Sequence, residues 1–483
     1  MAEQVSSVGL LPNEFFFEPV KVARGGGGVD DSAVLTWSAE TGSNIAFRKS
    51  KGNKGLSLIL FGELYDARNP ARTTQEILDS LAESGDLETL PLLTRALTGE
   101  FGMAAALGGE FTVFADACAQ MELFYDFRNP SRFASSPLLL PGHSSGQSSG
   151  RRARNESNPL CDLPEGAPFC KLPANIRFSS KTHGTVRYFP TPDWTVKRVD
   201  IDEAVEWLST YLTGIFRALQ NRGEQAVPIT AGYDSRMLTA ACMASGATGV
   251  FYHLYKHGKV DERHHDILIG AKLAAAIGVD RKILEYSKEM QPADESMYGR
   301  LYRPRLENAA RIMNGDKKYF ADRTVINGNL GEIGRSYFGA LTFVTPEMLA
   351  KLRNKKGDPA EIQKMQAWLD SFDPTHLGAE NISDLFYWED RMANWASRAK
   401  TEYRLVTSVI SPLNCHEALT VILGVPKKYR TYFRNRLFER VIQRLEPRLS
   451  PFPYNPELKS TVIKTLISAG IYGAYKNFQI KHL

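Results

Sequence analysis

The stretch "VPITAGYDSRMLTAA" (Val227–Ala241) decides how this chain is read. Strand-like residues give way to a small residue, a glycine, an aspartate and a serine, then an arginine, then a run that reads as helix. The turn therefore joins the end of a strand, at Thr230, to a helix from about Ser235 to Ser245. Backbone N–H groups at a helix N-terminus lack intrahelical partners and attract anions, and the hydroxyls of Thr230 and Ser235 add donors. Ala231 and Gly232 leave the backbone bare enough for close approach. These features point to phosphate. The Walker pattern GxxxxGK[ST] is absent, however, and Asp234 stands where the anion is expected. A carboxylate beside phosphate requires a cation between them, and Mg²⁺ commonly binds through one or two carboxylates plus phosphate oxygens.

A second turn of the same kind lies further along the chain. "VINGNLGEIGRSYFG" (Val325–Gly339) reads as a strand, a glycine-rich turn and a helix start, and it carries Glu332. Asp234 and Glu332 at neighbouring strand ends form a candidate Mg²⁺ site. Working outward, Val205, Leu208, Leu212, Ile215, Phe216 and Leu219 recur at helical spacing up to Gly223. Strands at Gly249–Leu254, Lys282–Tyr286 and Arg323–Asn327 alternate with helices such as Asp266–Ile277, which predicts a parallel, doubly wound sheet. In such a sheet ligands sit beyond the carboxyl ends of the strands. Helices at Asn381–Val406 and Thr431–Leu445 are expected beyond it.

The chain before this has another texture. Strand-like runs at Leu56–Tyr65, Phe101–Leu107, Phe111–Asp116 and Met121–Phe127, with one helix at Thr73–Ser84, predict an α+β unit rich in antiparallel sheet. The expected division is 1–195 and 200–483. "PGHSSGQSSGRRARNESNP" (Pro141–Pro159) reads as a polar surface loop, and Gly25–Gly28 as a plain turn. At 483 residues, two or three domains are expected. A 43% apolar and 23% charged composition is that of a soluble globular protein. A formal charge of +5 is slight at this length and does not bear on nucleic acid. The five cysteines form no CxxC pair, which disfavours a zinc module or a disulfide framework and fits a reducing cytoplasm. Neither a signal-peptide pattern nor an apolar run long enough for a membrane span is read. His264 and His265 read as surface helix, not as a metal site.

With these residues in view, the chain resembles the asparagine synthetase-like family. "TAGYDSR" is similar to the pyrophosphate-binding loop of the N-type ATP pyrophosphatases (the PP-loop enzymes), Ser-Gly-Gly-x-Asp-Ser. "NGNLGEI" resembles the family's second turn, Ser-Gly-Glu-Gly-x-Asp-Glu. The Trp388–Asn414 segment, with Arg391 and Glu402, resembles the family stretch ending Glu-x-Arg-x-Pro-Phe-Leu-Asp, and Pro426–Arg436 resembles the family segment next in order. Upstream, "LTGEFGMAAALGGEFTVFADACAQMELFYDF", "RFASSPLLL" and "RYFPTPDW" resemble a class II glutaminase domain. The resemblance implies an Ntn-hydrolase-like antiparallel sandwich followed by an ATP pyrophosphatase domain with a helical C-terminal part.

It also implies a chemistry: an ATP-dependent, AMP-forming carbon–nitrogen ligase that adenylates a carboxylate and passes the acyl group to an amine. ATP and Mg²⁺ are the implied cofactors. Thr230, Ala231, Gly232, Tyr233, Asp234, Ser235, Arg236 and Gly328 are expected to bind nucleotide or pyrophosphate, and Asp234 and Glu332 the metal. Lys459, in "PYNPELKST", is the candidate for neutralising the transition state. Ala2 stands where the glutaminases carry their nucleophilic cysteine, so no glutamine hydrolysis is expected. That departure points toward types such as the β-lactam synthetases and lasso-peptide cyclases. Asn329 stands where relatives carry a catalytic Glu or Tyr, which leaves the base unassigned, and Asn414 replaces the last Asp of the Pro-Phe-Leu-Asp pattern. Carboxylate and amine substrates are expected, with neither membrane nor nucleic acid as partner. Two other readings stand beside this one: a tRNA-modifying pyrophosphatase, for which the basic run Lys427–Arg448 is an RNA footprint, and an inactive scaffold of the same fold.

Overall fold

A computed structural model describes residues 9–22, 34–126, 130, 132–140, 160, 169–256, 264–338, 344–431 and 434–455. The readings at Ala2, Gly25–Gly28, Pro141–Pro159 and Lys459 lie outside the described residues.

The early part is built from two antiparallel sheets. In the first, strands run in the order Phe169–Lys171, Phe124–Asp126, Phe133–Ala134, Phe15–Val22, Val34–Thr41. In the second the order is Gly184–Arg187, Ile176–Ser179, Glu110–Ala115, Phe101–Leu107, Ser57–Gly62, Phe47–Lys51. Aromatic side chains fill the space between them. Phe15 and Phe17 stack on Phe61 with centroids 4.3 and 5.1 Å apart, and Phe133 meets Phe178 at 5.3 Å. The helix Thr74–Ser84 starts on a capping box between Thr73 and Glu76 and buries Ile77, Leu78 and Leu81.

The later part holds a five-stranded sheet in the order Arg281–Tyr286, Gly249–Lys256, Gln225–Pro228, Thr324–Ile326, Ser408–Ile410, every neighbour parallel. Parallel sheets require both faces covered. Val227 and Phe251 face the main core, while Ala226, Tyr252, Leu254, Val325 and Val409 cluster with Phe320 on the other side. From Gln225–Pro228 the chain first builds outward through Gly249–Lys256 and Arg281–Tyr286. It then returns to lay Thr324–Ile326 on the opposite flank of the first strand. The turns after these two adjacent strands therefore open at the point where strand order reverses, the usual ligand crevice of open α/β sheets.

Several boundaries differ from expectation. The helix after the first turn begins at Tyr233, not Ser235, because Gly232 takes the extended cap conformation. The basic helix spans Arg436–Leu445, capped by the Asn435 side chain, which accepts the Phe438 N–H at 3.0 Å. Ser408–Ile410 supplies a fifth strand that its three residues do not announce in the sequence.

A buried ionic network joins the two parts. Lys171 donates to Glu122 (2.9 Å), to the Ala393 carbonyl and to Ser397 (2.7 Å), and Arg398 also pairs with Glu122 (3.1 Å). Lys400 and Arg404 hold Glu100, each at 2.7 Å. Burial alone would raise the Glu122 carboxyl, but Lys171 and Arg398 hold it well below the usual range. In the unfolded chain this carboxyl takes a proton at its ordinary value of 4.5, whereas in the fold it does not. Its stabilising share is thus present above that pH and lost as pH falls. Glu122→Gln should cost on the order of 3 kcal/mol at pH 7, because two buried cations lose their counter-charge. The gap to the wild-type chain in chemical denaturation should narrow below pH 4.5.

Candidate functional site

Two glycines bring the first turn against the second. A β-carbon on Gly331 would fall 2.3 Å from Asp234 Oδ1, and one on Gly328 would fall 3.0 Å from Asp234 Cβ. The Asp234 carboxylate is thus pressed onto the Gly328–Glu332 backbone, and no side chain fits at Gly331. Asp234 Oδ2 receives Nη2 of Arg335 at 2.9 Å, and the same nitrogen lies 3.2 Å from Glu332 Oε1. The second oxygen of Glu332 accepts a short hydrogen bond from the Tyr387 phenol. The two predicted acids therefore do converge, with one guanidinium nitrogen between them. Asp234 Oδ1 is buried and has no hydrogen-bond partner among the described residues.

The loop residues divide into two groups. Thr230 Oγ1 and Ser235 Oγ lie 2.5 Å apart, facing each other across the turn. The helix that begins at Tyr233 has no side-chain cap at Gly232, and its N-terminus opens at this turn. The amides of Ala231 and Gly232 are already engaged: Asp266 accepts the first at 2.8 Å and Thr230 Oγ1 the second at 3.3 Å. Gly232 keeps an open approach, its nearest side-chain oxygens 3.5 Å or more from a built β-carbon.

Arg236 and Tyr233 turn out to be anchors. Arg236 is fully buried and donates to the carbonyls of Phe452 and Pro453, both 2.7 Å, and of Ala231 at 3.1 Å. Its guanidinium also lies 3.8 Å from the Tyr454 ring centre. The expectation that it contacts phosphate is corrected: both Nη groups are spent on backbone oxygens, and Nε is buried with no hydrogen-bond partner among the described residues. Tyr233 stacks on Tyr454 at 4.3 Å, donates to Glu439 at 3.1 Å, and contributes to the loop through its backbone. Together they clamp residues 449–455 over the loop, and the Asn455 N–H reaches the Ala231 carbonyl at 3.2 Å.

Among the described residues, no cluster of three or more His, Cys, Asp or Glu side chains forms a metal cage. A Mg²⁺ carried with phosphate does not need one. Asp234 Oδ2 and Glu332 Oε1, which share one Arg335 nitrogen, would fit an ion whose remaining ligands are phosphate and water. His264 caps a helix at the surface, accepting the Asp266 N–H at 3.3 Å. Glu402 is buried against Arg305 and Asn308, and Arg391 lies over Trp395 with its charge felt at Tyr387. Asn414 bridges Asp116 and the Gly99 carbonyl at 2.8 and 2.7 Å, a structural role. In the basic run, Arg440 pairs with Asp202, Arg444 with Glu206 and Arg448, just past the helix, with Glu446. That pairing disfavours the RNA reading.

Sequence reasoning missed Arg335, Asp266 and Tyr387. Arg335 comes three residues after Glu332, a spacing at which side chains meet on a helical turn. That spacing is a signal visible in the sequence. Asp266 and Tyr387 arrive from distant segments and carry no local mark.

Burial raises the Asp234 carboxyl to about 6, Arg335 pulling it back and Glu332 pushing it further up. The unfolded chain loses this proton near 3.8, so between there and about 6 the folded state holds more protons. Stability from this group therefore falls as pH rises through that window. Asp234→Asn should stabilise the chain by about 1–3 kcal/mol at pH 7.5, since Arg335 keeps Glu332 as a partner. Denaturant melts should show that gain fading below pH 5.

No protein-family model matches the chain, and no curated protein matches it.

Proposed function

We propose that the chain is an ATP-dependent, AMP-forming ligase that makes an amide bond. On this reading its first part is an Ntn-type, degenerate glutaminase-like domain, and its second an asparagine synthetase-like PP-loop ATP pyrophosphatase domain. The observation that carries the reading is the convergence of Asp234 and Glu332 on one cation, from turns after two adjacent parallel strands. The uncapped helix N-terminus at Tyr233 and the Thr230–Ser235 hydroxyl pair, joined by one hydrogen bond at 2.5 Å, stand beside them as candidate anion-binding groups.

A carboxylate does not condense with an amine in water, because its oxygen is a poor leaving group. In the proposed reaction a substrate carboxylate oxygen attacks the ATP α-phosphorus, the α–β phosphoanhydride bond breaks and pyrophosphate leaves. The amine then attacks the acyl carbon, AMP departs with the former carboxylate oxygen, and the amine gives up a proton. This chain's contribution is positioning and charge neutralisation. The helix amides and the two hydroxyls bind the departing pyrophosphate, while Gly328 lets the nucleotide lie against backbone. Asp234 and Glu332 would hold Mg²⁺, which supplies positive charge to the phosphates. Lys459 lies four residues beyond the clamped Asn455 in sequence and is the candidate for neutralising the transition state.

Product analysis should find AMP and pyrophosphate, with Mg²⁺ required. Formation of ADP and phosphate would refute the reading, and failure of any carboxylate to support ATP–pyrophosphate exchange would favour an inactive scaffold. Asp234→Asn should lower turnover at least ~100-fold, since it removes a charge on which neutralisation depends. Lys459→Ala should leave ATP affinity within a few-fold and depress the chemical step, as expected of a contact made chiefly in the transition state.

The first part offers no reason to expect glutamine hydrolysis. The purified chain should release no glutamate from glutamine, since Ala2 cannot serve as nucleophile. Steady glutamate release would contradict this.

A further inference from the structure

We propose that Arg335 is the resident cation of this site in the nucleotide-free protein, and that it keeps a free divalent ion out until phosphate arrives. The inference rests on the proposed function, in which Asp234 and Glu332 are the metal-holding acids. One guanidinium nitrogen lies 2.9 Å from Asp234 Oδ2 and 3.2 Å from Glu332 Oε1. An ion bridging the two carboxylates would compete with the guanidinium for this place. A guanidinium stays charged at every accessible pH, so proton loss cannot vacate it.

The surroundings hold Arg335 there. It closes the 3-10 turn Asn329–Arg335, and its side chain is 7% exposed against 17% for Asp234 and 29% for Glu332. The next residue, Ser336, sits at φ +48°, a conformation that non-glycine residues adopt only when held. Its hydroxyl contacts Asp384 at 3.3 Å and Arg430 at 3.1 Å, both buried. Tyr387 occupies the far oxygen of Glu332, so this carboxylate cannot turn away without losing that bond.

Charge then sets the order of events. Two carboxylates and one guanidinium leave a single net negative charge, and a bare divalent ion entering there meets a like charge at contact distance. Phosphate oxygens arriving with the metal supply the anionic partners that both cations need. The guanidinium then moves from the acids to phosphate, while the metal takes its place.

Water-proton relaxation with Mn²⁺, which reports ion bound to protein, tests this on the full chain. The wild type should bind Mn²⁺ at least tenfold more weakly without inorganic pyrophosphate than with it. Arg335→Gln should bind Mn²⁺ without pyrophosphate at least tenfold more tightly than the wild type, and Arg335→Lys, which keeps the charge, should stay weak. Equal Mn²⁺ affinity in the wild type with and without pyrophosphate overturns the proposal while leaving the metal site standing, and needs no variant to fold. So does an Arg335→Gln chain that binds no more tightly, or an Arg335→Lys chain that binds as tightly as Arg335→Gln. Absence of bound Mn²⁺ in every chain, pyrophosphate present, overturns the metal reading and this inference together.

Discussion

The parallel pairing of Gln225–Pro228 with Thr324–Ile326 is the constraint on which the rest depends. Gln225 lies opposite Thr324 and Ala226 opposite Val325, so the two strands end within one residue of each other in the sheet. Strands about 4.8 Å apart deliver their turns into one another's space. The second turn then has to make room, and it does so with glycine at the two positions where Asp234 bears down. The convergence of the acids is therefore a property of the sheet register before it is a property of any side chain.

Holding a carboxylate in such a place opposes stability. Asp234 is desolvated, one of its oxygens lacks a donor among the described residues, and its carboxyl is raised to about 6. The fold answers with two arginines of different kinds. Arg335 balances charge at the site, whereas Arg236 ties the Ala231 carbonyl to those of residues 452 and 453, fixing the loop from behind. Asp266 fixes the same loop from a third side through the Ala231 N–H. A loop held at three points keeps one backbone path, the kind of preorganisation that lets fixed dipoles act without rearranging.

Much of this is legible in the sequence, for identifiable reasons. The alternation of apolar strands with helical periodicity from Ile201 onward specifies the parallel sheet, because burial on both faces writes itself as continuous apolar runs. Asp234 and Glu332 stand out because each interrupts a glycine-rich turn at a strand end. The features that escape are those decided by tertiary contact. Nothing local distinguishes an arginine that grips carbonyls, as Arg236 does, from one that grips phosphate, and both suit a helix start. Ser408–Ile410 is too short to show a period, and becomes a strand only because Thr324–Ile326 offers it an edge.

The early sheets take part in the site through a single helix. Residues 382–404 run continuously, with an extra residue per turn over Tyr387–Ala396. Such π-segments re-aim side chains and persist only when neighbours hold them. Here Glu389 accepts Arg187 at 2.6 Å, Asn175 at 2.8 Å and Trp368 at 2.8 Å, while the Trp388 indole donates to the Ala117 carbonyl at 2.8 Å. Arg187, Asn175 and Ala117 all belong to the early part of the chain. They fix the rotation of the helix one and two residues beyond Tyr387, and so fix where the phenol meets Glu332. A sandwich whose interior is filled with phenylalanine, and whose edge sets the angle of that helix, acts as a clamp on the site. That gives the first part of the chain a physical reason to persist whatever its own chemistry.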